Sequence, residues 1–355
     1  MRKLFYSALV AIVFVGGFTA AAHLHWFQLR PISASSTQIP ASPSHIPASP
    51  PLTVPENAAA LHAPAFQRGI DVDAYTYPKL DFSAAAAAVV AYVKQLNANS
   101  LSISFPFFMS SRQSSQVFAT PKTPTPDQLG LLIADAEHAG LYVSIRPLLS
   151  EYQIGGNRTR WVPADMSAWF ASYQQFLLPY ARMAEASKVG MFIIGAEFQK
   201  FADSPLWNSL AQALAKVYHG RLAYSNNGPG QLSQSTGGLY TFKTVDAYPP
   251  MNPPFLSGWQ AYDRGLPTGT ILTEVGIGAW DGAWRAPWQH RQRNQQFDPQ
   301  VQAGWFSAAC QAAKATRLGG IYFWTLGLLP NLPPTPLHPG GWAHGVGADA
   351  IARCF

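Results

Sequence analysis

The sequence predicts an α/β fold in which eight parallel strands, with helices between them, close into a single (β/α)8 or TIM barrel. From residue 68 onward, short apolar runs rich in β-branched residues alternate with longer stretches of helical character, and there are eight such runs. A closed barrel of this kind takes about 250 residues, so a chain of 355 residues holds one barrel and a leader. A doubly wound open sheet is the alternative, but no G-x-G-x-x-G turn follows the first run.

Two segments precede the predicted barrel. Residues 1–22 carry a positively charged start and an apolar run that ends in an Ala-Ala-Ala cleavage site, which indicates a signal peptide. The run is nearly long enough to cross a bilayer, so an uncleaved anchor that tethers the protein to a membrane through residues 4–22 is the alternative. Residues 23–64 form a linker rich in Pro, Ser and Ala. We therefore expect a secreted or extracytoplasmic catalytic domain over residues 65–355.

Each strand is predicted where apolar, β-branched residues cluster in a short run. In chain order the strands lie at 68–72, 100–105, 142–146, 191–195, 221–225, 244–247, 270–273 and 320–324. In a parallel barrel the carboxyl ends of all strands meet on one face, and that face carries the active site.

The helices are predicted where longer stretches with helical periodicity separate the strands. They lie at 83–96, 125–139, 167–186, 205–218, 299–316 and, in a short form, 347–353. The second helix has Pro126 near its start and Gly140 just beyond its end, as helix capping requires. The segments 228–242 and 249–265 show little helical pattern, so we expect much of them to be irregular.

Composition argues against several functional classes. Charged residues make up 12% and apolar residues 48% of the chain, as in a globular protein with a large core. The net charge is +6, but the Lys and Arg residues are scattered, so no nucleic-acid partner is expected. Cys310 and Cys354 are the only cysteines, and no C-x-x-C or H-E-x-x-H pattern occurs, so no metal and no cofactor are expected. The two thiols either form a disulfide in an oxidising compartment or stay free and buried.

Two of the six glutamates close apolar runs. Glu197 follows Met-Phe-Ile-Ile-Gly-Ala, and Glu274 follows Thr-Ile-Leu-Thr. A carboxylate at the end of a buried strand is costly unless it has a partner or a chemical role, and an arginine partner is the structural alternative. Two carboxylates on the catalytic face of one barrel are what cleavage of a glycosidic bond needs, one as acid/base and one as nucleophile.

Aromatic, amide and charged side chains follow the other strands. Rings stack on sugar faces, while amides and charged groups bind hydroxyls, so this rim is typical of a carbohydrate site. Tyr248 is also a candidate hydrogen-bond donor to Glu274, and Arg146 is a candidate source of positive charge near it. Asp71 and Asp73 either cap the first strand or bind sugar. Structural alternatives stay open, because loop tryptophans often pin a loop and Asn-Asn-Gly is an ordinary turn. The candidate substrate-binding residues are Arg146, Trp161, Asn226, Asn227, Tyr248, Trp280 and Trp324.

Six short segments together resemble one group of enzymes. They are Trp-Phe-Ala-Ser-Tyr at 169–173, Ile-Ile-Gly-Ala-Glu-Phe at 193–198, Val-Asp-Ala-Tyr-Pro-Pro at 245–250, Leu-Thr-Glu-Val-Gly at 272–276, Ala-Pro-Trp at 286–288 and Phe-Trp at 323–324. Their order and spacing resemble those of the retaining glycoside hydrolases with (β/α)8 barrels. More narrowly, the chain resembles glycoside hydrolase family 113, which is known for β-mannanases. The resemblance covers residues 66–330.

The resemblance implies a double displacement in which Glu197, ending strand four, is the acid/base and Glu274, ending strand seven, is the nucleophile. Retention of configuration requires the two carboxyls to lie about 5–5.5 Å apart. Many members of the wider clan carry Asn directly before the acid/base, to bind the sugar 2-hydroxyl. This chain has Ala196 at that position. Family 113 also lacks the Asn, so this difference favours the narrower resemblance. Asn226 or Asn227 is the candidate to bind the 2-hydroxyl instead.

The sequence thus predicts a monomeric glycosidase for a β-1,4-mannan-like polysaccharide or oligosaccharide. A barrel glycosidase acting on another β-glycan and a non-catalytic carbohydrate-binding barrel are the alternatives. A deacetylase or metal-dependent hydrolase would need His and Asp clusters at strand ends, and only Asp71 and Asp73 come close. Neither the sugar nor the choice between internal and terminal cleavage follows from the sequence.

Overall fold

The computed structural model describes residues 62–232, 243–289, 295–330 and 333–355. The predicted signal peptide or anchor, and most of the linker, lie outside the described residues. Eight parallel strands close into one barrel in the order of the sequence, so the predicted (β/α)8 fold is confirmed. The strands are β1 (Gln67–Asp73), β2 (Ser100–Phe107), β3 (Tyr142–Leu149), β4 (Met191–Ala196), β5 (Arg221–Asn227), β6 (Thr244–Asp246), β7 (Ile271–Val275) and β8 (Gly320–Gly327).

Helices follow most of the strands in the described part of the chain. They are α1 (Phe82–Gln95), α2 (Pro126–His138), α3 (Met166–Ala186), α4 (Leu206–Leu214), α5 (Phe255–Arg264), α6 (Gln300–Ala315) and α7 (Val346–Cys354). Thr125 and Gln128 form a reciprocal capping box at the start of α2, with Pro126 in its first turn. The predicted capping of this helix is therefore confirmed.

Helix α5 corrects the expectation of an irregular segment after β6. The helix buries only Trp259 and Asp263. The segment is on average as polar as it is apolar, and two prolines stand directly before it, so it was taken for an irregular segment. The earlier segment 228–242 is described only up to residue 232, where it makes a short 3-10 turn at Pro229–Gln231.

Side chains fill the lower part of the barrel. Tyr142, Met191, Ile193 and Ala223 form a buried cluster contributed by β3, β4 and β5. Gly69 makes room for the ring of Tyr322, because a Cβ at that glycine would lie 2.1 Å from the ring. Because the interior is filled by side chains, an active site has to lie at the carboxyl ends of the strands.

Aromatic packing outside the barrel holds the end of β4. Trp169 of α3 and Trp207 of α4 contact the ring of Phe198, with ring centroids 5.5 and 5.8 Å away. The hydroxyl of Tyr173 donates a hydrogen bond to the carbonyl of Ile194 at 3.0 Å. The backbone on both sides of Glu197 is therefore fixed by α3 and α4.

A disulfide joins Cys310 of α6 to Cys354 of α7, with an S–S distance of 2.07 Å. Of the two alternatives for these cysteines, the structure has the disulfide. The amide of Asn97, just after α1, donates a hydrogen bond to the carbonyl of Ala352 at 3.1 Å. Helix α7 therefore connects the first helix of the barrel to the sixth.

Two kinds of feature are missing from the described part of the chain. Within residues 62–232, 243–289, 295–330 and 333–355, no helix has the length and apolar character to cross a membrane. In the same residues, no three His, Cys, Asp or Glu side chains come together in a way that would hold a metal ion.

Candidate active site

Glu274 lies in β7 with only 3% of its surface exposed, and both of its carboxylate oxygens accept hydrogen bonds. The hydroxyl of Tyr248 donates to Oε2 at 2.6 Å, and the guanidinium of Arg146 donates to Oε1. Burial, followed by the charge of Glu274, raises the pKa of Tyr248, so this hydroxyl keeps its proton and remains a donor. Glu274 is therefore held in a fixed orientation by one neutral and one charged donor.

Arg146 is fully buried beneath the site and is itself held by Asp246. Its two terminal nitrogens donate to the two oxygens of Asp246 at 3.2 and 3.0 Å. Asp246 also accepts hydrogen bonds from the hydroxyls of Ser225 at 2.6 Å and Thr273 at 2.9 Å. Burial acts to lower the pKa of Arg146, but the carboxylates of Asp246 and Glu274 raise it above its ordinary value. Arg146 was predicted to bind substrate and to add positive charge near Glu274. The structure has the second arrangement, because Arg146 lies outside the cleft wall and donates to the Glu274 carboxylate.

Glu197 follows β4 directly and adopts a left-handed backbone conformation, with φ of 60°. This conformation is uncommon for a residue other than glycine and occurs at functional sites. Its backbone N–H donates to the carbonyl of Ser225 at 2.9 Å, and its Oε2 lies 3.0 Å from Nη2 of Arg158. Burial raises the pKa of Glu197, Arg158 opposes that rise, and the charge of Glu274 adds to it.

The β3 loop, defined as residues 150–165, brings Arg158 to the site. The backbone N–H of Arg158 donates to Oε1 of Glu151 at 2.8 Å, and the guanidinium lies 3.5 Å from the same oxygen. Arg158 thus pairs with Glu151 and Glu197 together. The sequence placed Arg158 and Glu151 in the loop after strand three, but neither was among the candidate catalytic or substrate-binding residues. An arginine in a long loop has no sequence signal that names its partner. The presence of an acid seven residues before it was the one available hint.

A cleft of about 1090 Å³ opens at this end of the barrel, and Glu197 and Glu274 both line it. Among the predicted substrate-binding residues, Asn227, Tyr248 and Trp324 lie in its wall. Trp288, which belongs to the Ala-Pro-Trp segment but was not among the candidate substrate-binding residues, also lines the cleft and is 48% exposed. A carbohydrate chain in this cleft would meet both carboxyls and these aromatic faces.

Two predicted tryptophans are placed away from the cleft wall. Trp161 is fully buried, donates from its indole nitrogen to the carbonyl of Arg112 at 2.9 Å and packs against Trp169. Trp280 is 3% exposed, and its ring covers Gly278, where a Cβ would lie 1.9 Å from it. The prediction that these two rings contact sugar was wrong, because both pin loops.

Asn226 also points away from the cleft. It is 1% exposed, and its amide donates to the carbonyls of Tyr224 and Thr244. Successive side chains of a strand point to opposite faces, and the observed β5 extends through both asparagines. Only Asn227 therefore faces the cleft, and the prediction that Asn226 binds substrate was wrong.

Asp71 and Asp73 alternate along β1, beside Ser102 and Ser104 of β2. Burial raises the pKa of Asp71 to about 7, with Arg146 opposing the rise. Burial and then the charge of Asp71 raise the pKa of Asp73 to about 8. Ser104 and Ser102, as hydrogen-bonding neighbours, also oppose the rise in the pKa of Asp71. The side chain is fully buried and does not line the cleft, so sugar binding is not assigned to it.

The site thus combines one carboxylate fixed by two donors with a second carboxyl whose pKa is raised, and both line one cleft. The sequence model of Glycoside Hydrolase Family 113 matches residues 75–327. The chain belongs to glycoside hydrolase family 113. The predicted family is confirmed, and with it the prediction of a glycoside hydrolase over that of a non-catalytic binding barrel.

Solved structures share the fold of this family 113 member. A GH113 β-1,4-mannanase in a complex is 18% identical, with a TM-score of 0.68 over 82% of this chain and 99% of its own. The GH113 β-mannanase AaManA from Alicyclobacillus acidocaldarius, in complex with ManMIm, is 18% identical, with a TM-score of 0.66 over 82% and 97% of the two chains. GH5_18 from Streptomyces cattleya, in complex with GlcNAc, is 12% identical, with a TM-score of 0.52 over 81% and 79%. No curated protein matches the chain in sequence.

Proposed function

We propose that this family 113 member hydrolyses a β-1,4-mannan-like polysaccharide or oligosaccharide by a retaining double displacement. The observation that carries the proposal is the contrast between the two carboxyls of the cleft. Glu274 accepts hydrogen bonds from Tyr248 and Arg146, which hold its carboxylate in one orientation, as a nucleophile requires. Burial raises the pKa of Glu197, as suits a group that must first give a proton and then take one.

In the first step, the Glu274 carboxylate forms a bond to the anomeric carbon while the glycosidic bond breaks. Glu197 gives its proton to the leaving oxygen, so the leaving sugar departs as a neutral alcohol. In the second step, Glu197 takes a proton from water, the water oxygen bonds to the anomeric carbon, and the bond to Glu274 breaks. Both residues then return to their starting protonation states.

The choice of mannan rests on the solved relatives, two of which are described as a β-1,4-mannanase and a β-mannanase. The cleft itself supports a sugar polymer, because Trp288 and Trp324 offer ring faces and Asn227 offers an amide in one continuous wall. Tyr248 borders the cleft as well, beside the nucleophile.

Hydrolysis of β-mannan, β-glucan, xylan and galactan by the purified full-length protein tests this function. We expect release of reducing ends from mannan, and a loss of kcat of at least about 10³-fold in both Glu197→Gln and Glu274→Gln. Glu137→Gln, which changes an exposed glutamate of α2, is the matched control and should keep the activity. If either Glu197→Gln or Glu274→Gln kept its activity, the mechanism would be contradicted.

Azide distinguishes the two carboxyl roles. With Glu274→Gly and an activated glycoside, azide takes the place of the nucleophile and should give the inverted glycosyl azide. With Glu197→Ala, azide attacks the glycosyl-enzyme and should give the retained product. If Glu274→Gly gave the retained azide and Glu197→Ala the inverted one, the roles of the two glutamates would be exchanged.

We further propose that the catalytic domain is extracytoplasmic, exported or anchored by residues 1–22. The disulfide between Cys310 and Cys354 supports this, because such bonds persist in oxidising compartments. N-terminal sequencing of the protein from fractionated cells separates a cleaved signal from a retained anchor. A cytoplasmic protein with both cysteines reduced would contradict the proposal.

A further inference from the structure

We infer that the amino-terminal face of the barrel, at the end opposite the cleft, binds the surface of a membrane that contains anionic lipids. This face comprises the last four residues of each helix, the residues that lead into each strand, and the first two residues of each strand. The inference rests on the proposed extracytoplasmic location and adds an orientation of the catalytic domain on the membrane.

Positive charge exceeds negative charge on this face. Among the described residues it carries ten Lys and Arg side chains against four Asp and Glu. The four acids are Asp135, Glu137, Glu185 and Asp263, the last of which is buried. The excess is still five when the carboxylate of Phe355 is counted as a further negative charge. The rest of the described chain, including the exposed Arg182 of α3, has nine Lys and Arg against thirteen Asp and Glu. The positive surplus of the described domain therefore lies on this face.

Four of the ten basic residues have an explanation in local helix stability. A positive charge is favoured at the carboxyl end of a helix, and the four that lie in last turns are Lys94, Arg264, Lys314 and Arg353. The ammonium group of Lys314 also donates a hydrogen bond to the carbonyl of Cys354. These four charges need no partner outside the protein.

The other six basic residues lie beyond the last helical turns, in loops or at the starts of strands. They are Arg68 and Arg221, which are half-buried, and Lys188, Lys216, Lys243 and Arg317, which are exposed. Lys188 and Arg317 have left-handed backbone conformations, with φ of 51° and 61°, where glycine or asparagine is usual. Because the influence of the helix dipole falls off beyond the last turn, it does not account for this set. A negatively charged surface outside the protein would.

The closed barrel holds these loops in one ring. The backbone N–H of Arg221 donates to the carbonyl of Gly190 at 3.1 Å, and that of Ile271 donates to the carbonyl of Lys243 at 2.8 Å. Such bonds tie the start of each strand to a neighbouring one. The exposed lysines around the ring can therefore meet one extended surface together.

The chain enters the barrel at this same face. Ala63 packs against the buried cluster that β3, β4 and β5 form, and β1 begins shortly after it, at Gln67. The Pro-rich linker of residues 23–64 leads from there to the apolar run of residues 4–22. In an anchored protein the linker would keep the basic face near the bilayer, and a tether raises the effective concentration of the surface to which it is fixed. We therefore assign the face to anionic lipid headgroups rather than to nucleic acid. The cleft then faces away from the membrane, toward its substrate.

Vesicle binding by the full-length protein tests the inference. The probes are vesicles of phosphatidylcholine alone and vesicles that also contain about 30% phosphatidylglycerol. At about 0.05 M salt we expect at least about tenfold tighter binding to the anionic vesicles, and the preference should disappear at about 0.5 M salt, because exposed charges are then screened. Residues 1–30 are the same in every variant, so a difference between variants reports the catalytic domain.

Removal of three exposed lysines should weaken the preference. Lys188→Gln/Lys216→Gln/Lys243→Gln takes three positive charges from the amino-terminal face, and the preference for anionic vesicles should fall at least about fivefold. None of these lysines lines the cleft, so hydrolysis of mannan should be unchanged.

The matched control takes the same number of exposed lysines from the loops that follow β1, β2 and β4. Lys79→Gln/Lys122→Gln/Lys200→Gln should keep both the preference and the activity. An equal loss of preference in the two triple variants would overturn the inference, because total charge would then decide binding. A preference that both variants keep in full would assign it to residues 1–30 and would also overturn the inference.

Lysine acetylation supplies a readout that needs no substitution. On anionic vesicles, Lys188, Lys216 and Lys243 should be acetylated more slowly than in solution, whereas the three lysines of the control should react at the same rate. Equal affinities for the two kinds of vesicle would overturn the inference while mannan hydrolysis still supported the proposed function. Binding to duplex DNA together with such equal affinities would assign the face to nucleic acid and overturn the lipid partner. An anionic preference in a protein found in the cytoplasm would support the surface and overturn the proposed location.

Discussion

A guanidinium nitrogen of Arg158 lies 3.0 Å from Oε2 of Glu197, in a pair whose side chains are only 13% and 12% exposed. A positive charge at this distance favours the ionised form of Glu197, whereas burial and the charge of Glu274 favour the protonated form. Burial is the largest of these influences, so the pKa of Glu197 is raised overall. Arg158 therefore limits the rise and sets the upper end of the pH range in which Glu197 can donate a proton.

Removing Arg158 should widen the active pH range on the alkaline side. Arg158→Gln deletes the main influence that lowers the pKa of Glu197, so the pKa should rise further. A general acid loses activity as pH rises through its pKa, and the alkaline limb of the kcat/KM profile should therefore move to higher pH. The measurement is kcat/KM against pH, with Arg182→Gln as control. An alkaline limb that stays in place or moves to lower pH would contradict this role for Arg158.

Asp246 should act as a positioning residue for Glu274 through Arg146. Asp246→Asn removes the carboxylate that accepts hydrogen bonds from both terminal nitrogens of Arg146. Both side chains of this pair are fully buried. Breaking a buried pair from one side costs about 3–5 kcal/mol of unfolding free energy. Displacement of Arg146 should lower kcat by about 100-fold, with less effect on KM. Denaturant unfolding and steady-state kinetics measure the two effects.

A graded control is available in the same network. Ser225→Ala removes one hydroxyl donor to Asp246 and should cost about 1 kcal/mol, with a small effect on kcat. A folded Asp246→Asn variant with unchanged kcat would show that Asp246 only stabilises the barrel.

Reduction of the disulfide should destabilise the domain without touching the site. The bond closes a loop with a sequence separation of 44 residues, for which chain entropy predicts about 4 kcal/mol of stabilisation. Denaturant unfolding with and without a thiol reductant measures it. A Cys310→Ser/Cys354→Ser variant should show the reduced protein's stability in both conditions. If the unfolding free energy of this variant still changed with the reductant, the reductant would be acting on something other than the disulfide.

Asp71 should make the protein less stable as pH rises from about 4 to about 7. The pKa of this carboxyl is raised from 3.8 to about 7 in the folded state, so the folded protein holds a proton that the unfolded chain has lost. The stabilisation is complete below the unfolded pKa and is lost as pH approaches the folded pKa. Asp71→Asn has no such proton, so its unfolding free energy should decline less over this window.

The size of this difference is a few kcal/mol at most, since one pKa unit corresponds to about 1.4 kcal/mol. Asp203→Asn, which changes an exposed acid, is the control and should follow the pH dependence of the unsubstituted protein. Parallel stability curves for Asp71→Asn and the unsubstituted protein would contradict the raised pKa.

Local pattern was enough to predict the eight strands and the position of both catalytic candidates at strand ends. A buried parallel strand is a short apolar run, and its last residue is visible in the sequence. The sequence could also have predicted that Asn226 and Asn227 point in opposite directions, because adjacent side chains of a strand lie on opposite faces. The prediction failed because it ended the fifth strand at residue 225 and treated both asparagines as loop residues.

The pairing of Arg158 with Glu197 and the burial of Trp161 were beyond the sequence. Both depend on how the β3 loop folds back over the barrel end, and a loop that contains Gly155 and Gly156 has many conformations of similar local energy. Its tertiary contacts, such as the bond from Trp161 to the carbonyl of Arg112, choose among them. No local pattern encodes that choice.

The pairing of β1 with β8 has a consequence for synthesis on the ribosome. β1 is made early, yet its partner begins at residue 320, and the hydrogen bond between Tyr322 and Gln67 inside the barrel cannot form before then. A nascent chain that has completed β7 therefore holds a sheet with two open edges. Such edges template pairing with other chains, so an arrested chain of this length is the form of the protein most exposed to aggregation and most in need of a chaperone.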